Sequence, residues 1–223
     1  MGSKNKLKRF QENETFKNVI QPTRDEVLNN FSHKGKWHSF FGNNNPLIVE
    51  LGCGKGEYTV ALARQNPDKN YIGIDIKGAR FWRGAKTAME ENLPNVAFVR
   101  TQIELVDYIF AANEISEIWI TFPDPQIKYQ RTKHRMTNTT FLKRYFNVLK
   151  EDGIINLKTD SEFMHGYTLG LLHGEGHEVL YANHNVYHNS GAPKEVTEIQ
   201  TFYENQYLAV DKAITYIKFR LNY

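Results

Sequence analysis

The stretch Leu47-Ile48-Val49-Glu50-Leu51-Gly52-Cys53-Gly54-Lys55-Gly56 decides the fold of this chain. Its first three residues form a short apolar run with two β-branched members, which predicts a buried strand. Beyond the glycines, Tyr58, Ala61 and Leu62 share one face at helical spacing, so a helix should follow. Glycines between a strand and a helix permit positive φ and let a ligand approach the bare backbone, next to the free N–H groups of the helix start. The stretch therefore predicts a ligand-binding loop in an α/β fold.

Two acidic residues narrow the class of ligand. The glycines Gly52, Gly54 and Gly56 are spaced G-x-G-x-G, whereas dinucleotide folds use G-x-G-x-x-G. The carboxylate of Glu50 would repel a pyrophosphate but not a sulfonium or an ammonium. Asp75 ends the next apolar strand, where a carboxylate can accept hydrogen bonds from both hydroxyls of a ribose. The alternative is an ordinary tight turn, with Asp75 as a helix cap.

Composition is typical of one globular domain. The chain has 223 residues, of which 40% are hydrophobic and 24% charged, and its net charge is +3. A single cysteine, Cys53, excludes an internal disulfide framework and a cysteine zinc cluster. There is no apolar run long enough to cross a membrane and no signal peptide, so we expect a cytoplasmic protein. We expect no metal, because the sequence has no cysteine pattern and no H-E-x-x-H pattern that would bind one.

Strands and helices alternate after a basic beginning. Residues 1–30 carry several lysines and arginines and few apolar residues, which predicts a partly disordered basic arm that contacts a polyanion. Residues 31–223 should form a single domain. Strands are expected over residues 47–49, 71–75, 96–99, 115–121, 153–157, 178–182 and 214–221. Intervening helices imply a mostly parallel seven-stranded sheet covered on both faces, with ligands beyond the carboxyl ends of its strands.

The loop after the fourth of these strands predicts a nucleic-acid substrate. It begins Phe122-Pro123-Asp124-Pro125, and the two prolines hold Asp124 stiffly. A carboxylate fixed in this way complements the N1–H and N2–H donors of guanine. Basic residues follow, interrupted by the aromatic Tyr129, and such a mixture suits phosphates and a splayed base. The basic residues expected to contact RNA phosphates are Arg131, Lys133 and Arg135.

Taken together, these stretches resemble the bacterial tRNA (guanine-N7)-methyltransferases, which form 7-methylguanosine in the tRNA variable loop. The resemblance rests on Val49–Gly56, Gly73–Ile76, Phe122–Thr137, Phe141–Lys150, Ile155–Asp160 and Thr201–Glu204. It implies a class I methyltransferase with a Rossmann-like fold, S-adenosylmethionine (SAM) as the cofactor and tRNA as the partner. It leaves open whether the protein is a monomer or a homodimer.

The resemblance also implies roles for individual residues. Asp124 is implied to contact the cofactor, and we additionally expect it to be the catalytic residue, because its carboxylate can orient guanine and stabilise the positive charge that the base gains. The other cofactor contacts are expected from Glu50, Gly52, Gly54, Gly56, Asp75, Ile76 and Gln102. Substrate contacts are expected from Lys128, Asp160, Thr201, Phe202, Tyr203 and Glu204.

The chain departs from the family pattern at three places. Gln126 and Ile127 replace the tryptophan and proline of the usual D-P-W-P-K-K, Gln102 replaces an aspartate, and Phe202 replaces the first glutamate of T-E-Y-E. These departures affect the geometry of base binding more than the class of reaction. Two alternatives stay open at this point: methylation of an exocyclic amine of another RNA base, and RNA binding without catalysis.

Overall fold

A single sheet forms the centre of this computed structural model, which describes residues 2–189 and 191–223, with side chains from residue 5 onward. Within the described residues the sheet has eight strands in the spatial order β1-β4-β3-β2-β5-β6-β8-β7. In chain order the strands are Val19–Ile20 (β1), Leu47–Leu51 (β2), Asn70–Ile74 (β3), Val96–Val99 (β4), Ile115–Thr121 (β5), Leu149–Thr159 (β6), Glu178–Asn183 (β7) and Thr215–Arg220 (β8). Only β8 runs antiparallel to its neighbours, β6 and β7. The predicted mostly parallel α/β sheet is therefore confirmed.

The predicted number of seven strands was wrong by one. The additional strand, β1, is two residues long and pairs in parallel with β4 through Val19 and Ile20. A two-residue strand shows no alternation of apolar and polar residues, so its sequence carried no period-two signal. Its pairing instead depends on the neighbouring backbone, because the Phe98 N–H donates to the Asn18 carbonyl at 2.8 Å.

Helices cover both faces of the sheet. They are Gly2–Thr15 (α1), Arg24–Asn30 (α2), Trp37–Phe41 (α3), Glu57–Gln65 (α4), Gly78–Glu90 (α5), Val106–Ile109 (α6), Thr139–Val148 (α7), Glu162–Gly174 (α8), Lys194–Thr197 (α9) and Phe202–Leu208 (α10). One apolar cluster packs around Trp37, Ile72 and Leu157, and a second packs around Tyr58, Phe81 and Phe98. β2, β3 and β4 are buried along their whole length, as expected for central strands of a parallel sheet.

The beginning of the chain packs against α5. The Trp82 indole N–H donates to the Glu12 carboxylate at 2.6 Å, and the buried Asn13 amide donates to the Gly78 carbonyl at 3.0 Å. Gly78 allows this close approach, because an added Cβ would lie 2.9 Å from the Phe10 ring. The role of residues 1–30 as an arm separate from the domain stays a prediction, and Met1 lies outside the described residues.

The carboxyl ends of β2 to β6 meet at one edge of the sheet. Glu50, Asp75, Gln102, Asp124 and Asp160 all lie at or just beyond these strand ends. This is the edge at which open parallel sheets bind ligands. Among the described residues, no helix is long and apolar enough to cross a membrane.

Candidate active site

The glycine loop wraps around the end of β2 and is tied to β3. Gly52, Gly54 and Gly56 all have positive φ, at 75°, 55° and 74°. The Gly52 N–H donates to the Ile74 carbonyl at 2.8 Å, and the Gly54 N–H donates to the Asp75 carboxylate at 3.0 Å. The two stretches singled out by the sequence are thus joined by hydrogen bonds, and the left-handed backbone is a conformation that favours glycine.

Gly56 allows the glycine loop to pack closely against Phe98 and α5. An added Cβ there would lie 2.6 Å from the Phe98 ring and 3.2 Å from the Gly84 Cα. Loop and α5 therefore approach each other backbone to backbone. By contrast, a Cβ on Gly54 would meet nothing closer than the Gly52 carbonyl oxygen at 4.0 Å. The two glycines thus have different functions within one loop.

Glu50 is a buried carboxyl that faces the base of this loop. Its Oε2 accepts from the Thr59 N–H at 2.9 Å, and its Oε1 accepts from the Thr121 hydroxyl at 2.6 Å. Burial raises the pKa of Glu50 to about 7, although the hydrogen bonds from the two threonines act in the opposite direction. A carboxyl with this pKa is poised to ionise when a cation arrives beside it.

A cavity of about 180 Å³ opens between the glycine loop and α10. It is lined by Glu50, Gly52, Cys53, Gly54, Lys55, Glu57, Tyr58, Arg80, Thr121, Phe122, Thr201 and Tyr203. Five of the predicted site residues are therefore brought together here: Glu50, Gly52, Gly54, Thr201 and Tyr203. The Lys55 ammonium lies over the Phe202 ring at 4.0 Å, so the loop and the start of α10 also touch at the rim.

Asp75 holds the two loops that begin at the ends of β2 and β3. Besides accepting from Gly54, its carboxylate accepts from the Lys77 N–H at 2.7 Å. Next to it, Ile76 and Gln102 line a second cleft of about 340 Å³ together with Arg24 and Arg100. The Arg24 guanidinium donates to the Gln102 side-chain oxygen. The start of α2 therefore covers this side of the site.

The loop after β5 forms a third cleft of about 440 Å³. Asp124, Ile127, Lys128 and Arg131 are among its lining residues. The Asp124 side chain is exposed, and its carboxylate accepts from the Gln126 N–H at 3.1 Å. Lys128 is also exposed and precedes a 3-10 helix over Tyr129–His134. Asp124 and Lys128 are therefore adjacent in one open cleft at the ligand edge of the sheet.

The three predicted phosphate-binding residues have different environments. Arg131 and Lys133 are exposed on the 3-10 helix, whereas Arg135 is only 6% exposed. The Arg135 guanidinium donates to the carbonyls of Gln126 and Ile127, both at 3.2 Å. Arg135 therefore fixes the shape of the loop, while the other two cations remain accessible.

The Thr201–Glu204 segment begins α10 through a capping box. The Glu204 N–H donates to the Thr201 hydroxyl, and the Thr201 N–H donates to the Glu204 carboxylate, both at 3.3 Å. Glu204 is fully buried, and its carboxylate lies 2.6 Å from the Lys158 ammonium. Phe202 and Tyr203 are half-exposed beside it. Thr201 and Tyr203 therefore line the cavity, whereas the Glu204 side chain points into the protein interior.

Asp160, at the end of β6, pairs with a lysine. Its carboxylate accepts from the Lys212 ammonium, and the Asp160 side chain is 17% exposed. Lys212 also lies over the Tyr207 ring, with its ammonium 4.7 Å from the ring centre. Asp160 therefore stands at the ligand edge with one cationic partner already in place.

Several residues of this site were missed by the sequence reasoning. Thr59 and Thr121 hold Glu50, Lys158 holds Glu204, and Arg24 holds Gln102. The sequence does indicate a buried ion pair at Lys158, because a lysine in the apolar strand Ile154–Lys158 needs a buried counter-charge. The pattern T-x-x-E at Thr201 likewise indicates the capping box with which α10 begins. Among the described residues, no group of three or more potential ligands could hold a metal ion.

Sequence comparison relates the chain to known proteins. A family model described as "Putative methyltransferase" matches residues 44–217. The chain is 74% identical over 223 residues to the tRNA (guanine-N(7)-)-methyltransferase of Christiangramia forsetii, covering 99% of this chain and 100% of that protein. It is 47% identical over 220 residues to the protein of the same name from Bacteroides thetaiotaomicron, covering 98% of this chain and 86% of that protein.

A solved structure shows the same fold at low sequence identity. The 16S rRNA methyltransferase KamB aligns with a TM-score of 0.64 and 13% identity, covering 85% of this chain and 94% of that one. This likeness confirms the predicted Rossmann-like fold of class I methyltransferases.

Proposed function

This chain belongs to the tRNA (guanine-N7)-methyltransferase family, and from that premise we propose that it transfers a methyl group from SAM to N7 of a guanine in tRNA. The observation that carries the proposal is the 74% identity along 223 residues to a protein of that name. The predicted target is a guanine of the variable loop.

The residues at the glycine loop fit SAM. Glu50 offers a buried carboxyl beside the cavity, which suits a ligand that carries an ammonium and a sulfonium. Asp75 would accept the ribose hydroxyls, because its carboxylate stands at the tip of β3. Gly54 would allow close approach of the ligand, since a Cβ there would project into open space. Ile76 and Gln102 would face the adenine side, in the cleft that Arg24 covers.

The chemistry required of the protein is mainly alignment. SAM supplies, when bound, an electrophilic methyl group on a positively charged sulfur. Guanine N7 offers an in-plane lone pair and no proton, so the protein needs no general base at that atom. The residues around the site have to hold nucleophile and methyl in line and to exclude water, which can contribute about 7–11 kcal/mol to lowering a barrier.

We assign the orientation of the base to the edge of the sheet after β5. Asp124 complements the N1–H and N2–H donors of guanine, and its negative charge favours the base as that base gains positive charge. Lys128 lies in the same cleft and would contact the phosphate of the target nucleotide. Asp160, Thr201, Phe202 and Tyr203 are proposed as further substrate contacts.

We also propose that exposed cations of the loop after β5 bind phosphates of the tRNA. Arg131 and Lys133 are exposed beside the cleft of Asp124, which supports a role in holding phosphates. Because tRNA is a cytoplasmic substrate, the proposed function agrees with the predicted cytoplasmic location. The choice between monomer and homodimer stays a prediction.

One assay tests the proposed function. The purified protein is incubated with methyl-labelled SAM and an unmodified tRNA transcript, and the RNA is digested to nucleosides. We expect the label to run with 7-methylguanosine. Label in a guanosine methylated at its exocyclic amine, or in another nucleoside, would contradict the proposal.

A further inference from the structure

An aromatic cleft lies beside the substrate loop and has no part in the proposed chemistry. We define it by Ile127, Tyr129, Arg135, Phe163 and Tyr167, which line a surface depression of about 580 Å³. Tyr129 is 89% exposed and Ile127 65% exposed. Large apolar side chains this exposed indicate a surface that binds another molecule.

Two stacked rings and the Arg135 guanidinium form the floor of the aromatic cleft. Phe163 and Tyr167 stand on one face of α8, with ring centres 6.3 Å apart and planes 17° from parallel. The Arg135 guanidinium lies over both rings, 4.8 Å from the Phe163 centre and 4.4 Å from the Tyr167 centre. Because Arg135 also donates to two loop carbonyls, it fixes the substrate loop to α8.

The charge around the aromatic cleft favours a nucleic acid over an apolar protein segment. The exposed cations Lys128, Arg131 and Lys133 lie on the same loop as Tyr129, and Glu162 is the one acid that lines the depression. Aromatic faces between exposed cations form the arrangement on which unpaired bases stack while their phosphates are neutralised.

The aromatic cleft borders the cleft that holds Asp124. Ile127 lines both of them, and Tyr129 lies one residue beyond Lys128, which also lines the cleft of Asp124. An RNA bound for reaction at Asp124 would therefore present a neighbouring nucleotide to this aromatic surface.

We propose that the aromatic cleft stacks an unpaired nucleotide of the bound tRNA, with Tyr129 as the main stacking residue. This inference rests on the proposed function for the identity of the RNA. It adds a binding subsite that acts through base faces, so it recognises an unpaired nucleotide without selecting a particular base.

The test measures binding of an unmodified tRNA transcript in the absence of SAM. Tyr129→Ala should weaken binding by about 5- to 150-fold, the range for loss of one stacked base. Tyr129→Phe should bind like the wild type because it keeps the aromatic face, whereas Tyr129→Leu should be weak despite its apolar side chain. Tyr108→Ala, at a partly exposed tyrosine on α6 outside this surface, serves as the matched control and should leave binding unchanged.

The salt dependence of tRNA affinity distinguishes base stacking from the neutralisation of phosphates. Tyr129→Ala should shift the line of log affinity against log salt without changing its slope, whereas Lys133→Ala should reduce the slope by about 1. Because no methyl transfer is measured, a wild-type protein that binds tRNA but forms no 7-methylguanosine would refute the proposed function and still permit this comparison.

Three results would overturn the inference. Wild-type affinity in Tyr129→Ala would exclude stacking, and wild-type affinity in Tyr129→Leu would show that the surface needs only apolar area. A wild-type dimer in light scattering that Tyr129→Ala converts to a monomer, with tRNA binding unchanged, would assign the aromatic cleft to a second copy of the chain.

Discussion

The Lys158 ammonium lies 2.6 Å from the Glu204 carboxylate, and neither side chain is exposed to solvent. The same carboxylate accepts from the Tyr187 hydroxyl at 2.6 Å, while Lys158 also donates to the Ile199 carbonyl at 2.9 Å. Burial lowers the pKa of Lys158 to about 8, and the neighbouring carboxylate opposes that shift. The pair joins β6 to the start of α10, so it determines where Thr201 stands at the cavity.

Glu204→Gln should destabilise the protein through its effect on Lys158. The substitution leaves a buried ammonium without a counter-charge, which typically costs about 3–5 kcal/mol. The double variant Lys158→Met, Glu204→Gln removes both charges and should recover most of the lost stability. Urea unfolding of the wild type and the two variants measures this. A double variant that is no more stable than Glu204→Gln would contradict the ion-pair explanation.

The pKa of Glu50 predicts how stability depends on pH when no ligand is bound. Burial raises this pKa from its ordinary value of 4.5 to about 7, so the folded state binds the proton more tightly than the unfolded state does. The contribution of Glu50 to stability is therefore present below pH 4.5 and is lost as pH rises through about 7. Glu50→Gln should remove this part of the pH dependence, as followed by thermal unfolding over the same range.

The same carboxyl should couple cofactor binding to pH. A cationic ligand favours ionised Glu50, so SAM affinity should rise as pH rises through about 7. Calorimetry from about pH 6 to about pH 8.5 measures the effect. In Glu50→Gln the rise should disappear and the affinity should be lower throughout. An identical pH profile in that variant would remove Glu50 from the proposed site.

Gly54 and Gly56 provide a matched pair of substitutions. Gly56→Ala brings a Cβ to 2.6 Å from the Phe98 ring and should cost about 2–5 kcal/mol of stability, from overpacking together with a left-handed backbone. Gly54→Ala meets no close atom and should cost only about 1–2 kcal/mol. Its main effect should be weaker SAM binding, because the added methyl projects to where the ligand approaches. Unchanged SAM affinity in Gly54→Ala would contradict this arrangement.

Asp124→Asn should slow the chemical step. The asparagine keeps the size of the side chain but loses the charge that favours the developing cationic base, a change that typically costs about 2.7–4 kcal/mol. Single-turnover methylation with tRNA and SAM both saturating measures that step without a contribution from binding. A rate close to that of the wild type would move the role from Asp124 to Asp160 or Thr201.

The sequence predicted the parts of the fold that depend on local patterns. The apolar run before Gly52 was enough to predict the β2–loop–α4 unit, and the acid at Asp75 was enough to predict the ligand edge. Both predictions were possible because strand period and glycine spacing are local signals. β1 was missed since two residues show no period. The buried ion pair of Glu204 was missed because its partner, Lys158, lies 46 positions earlier in the chain. Spacing alone could not show that Arg135 is buried, while its neighbours Arg131 and Lys133 are exposed.

The most direct test maps the methylated atom within tRNA. Methylation at N7 weakens the guanine ring, so reduction and aniline treatment should cut the strand at the modified nucleotide. After incubation with the wild-type protein and SAM, we predict a single cut at a guanine of the variable loop, and no cut with unmodified transcript alone. An RNA that carries the labelled methyl group but resists cleavage would place the methyl on another atom and would contradict the account.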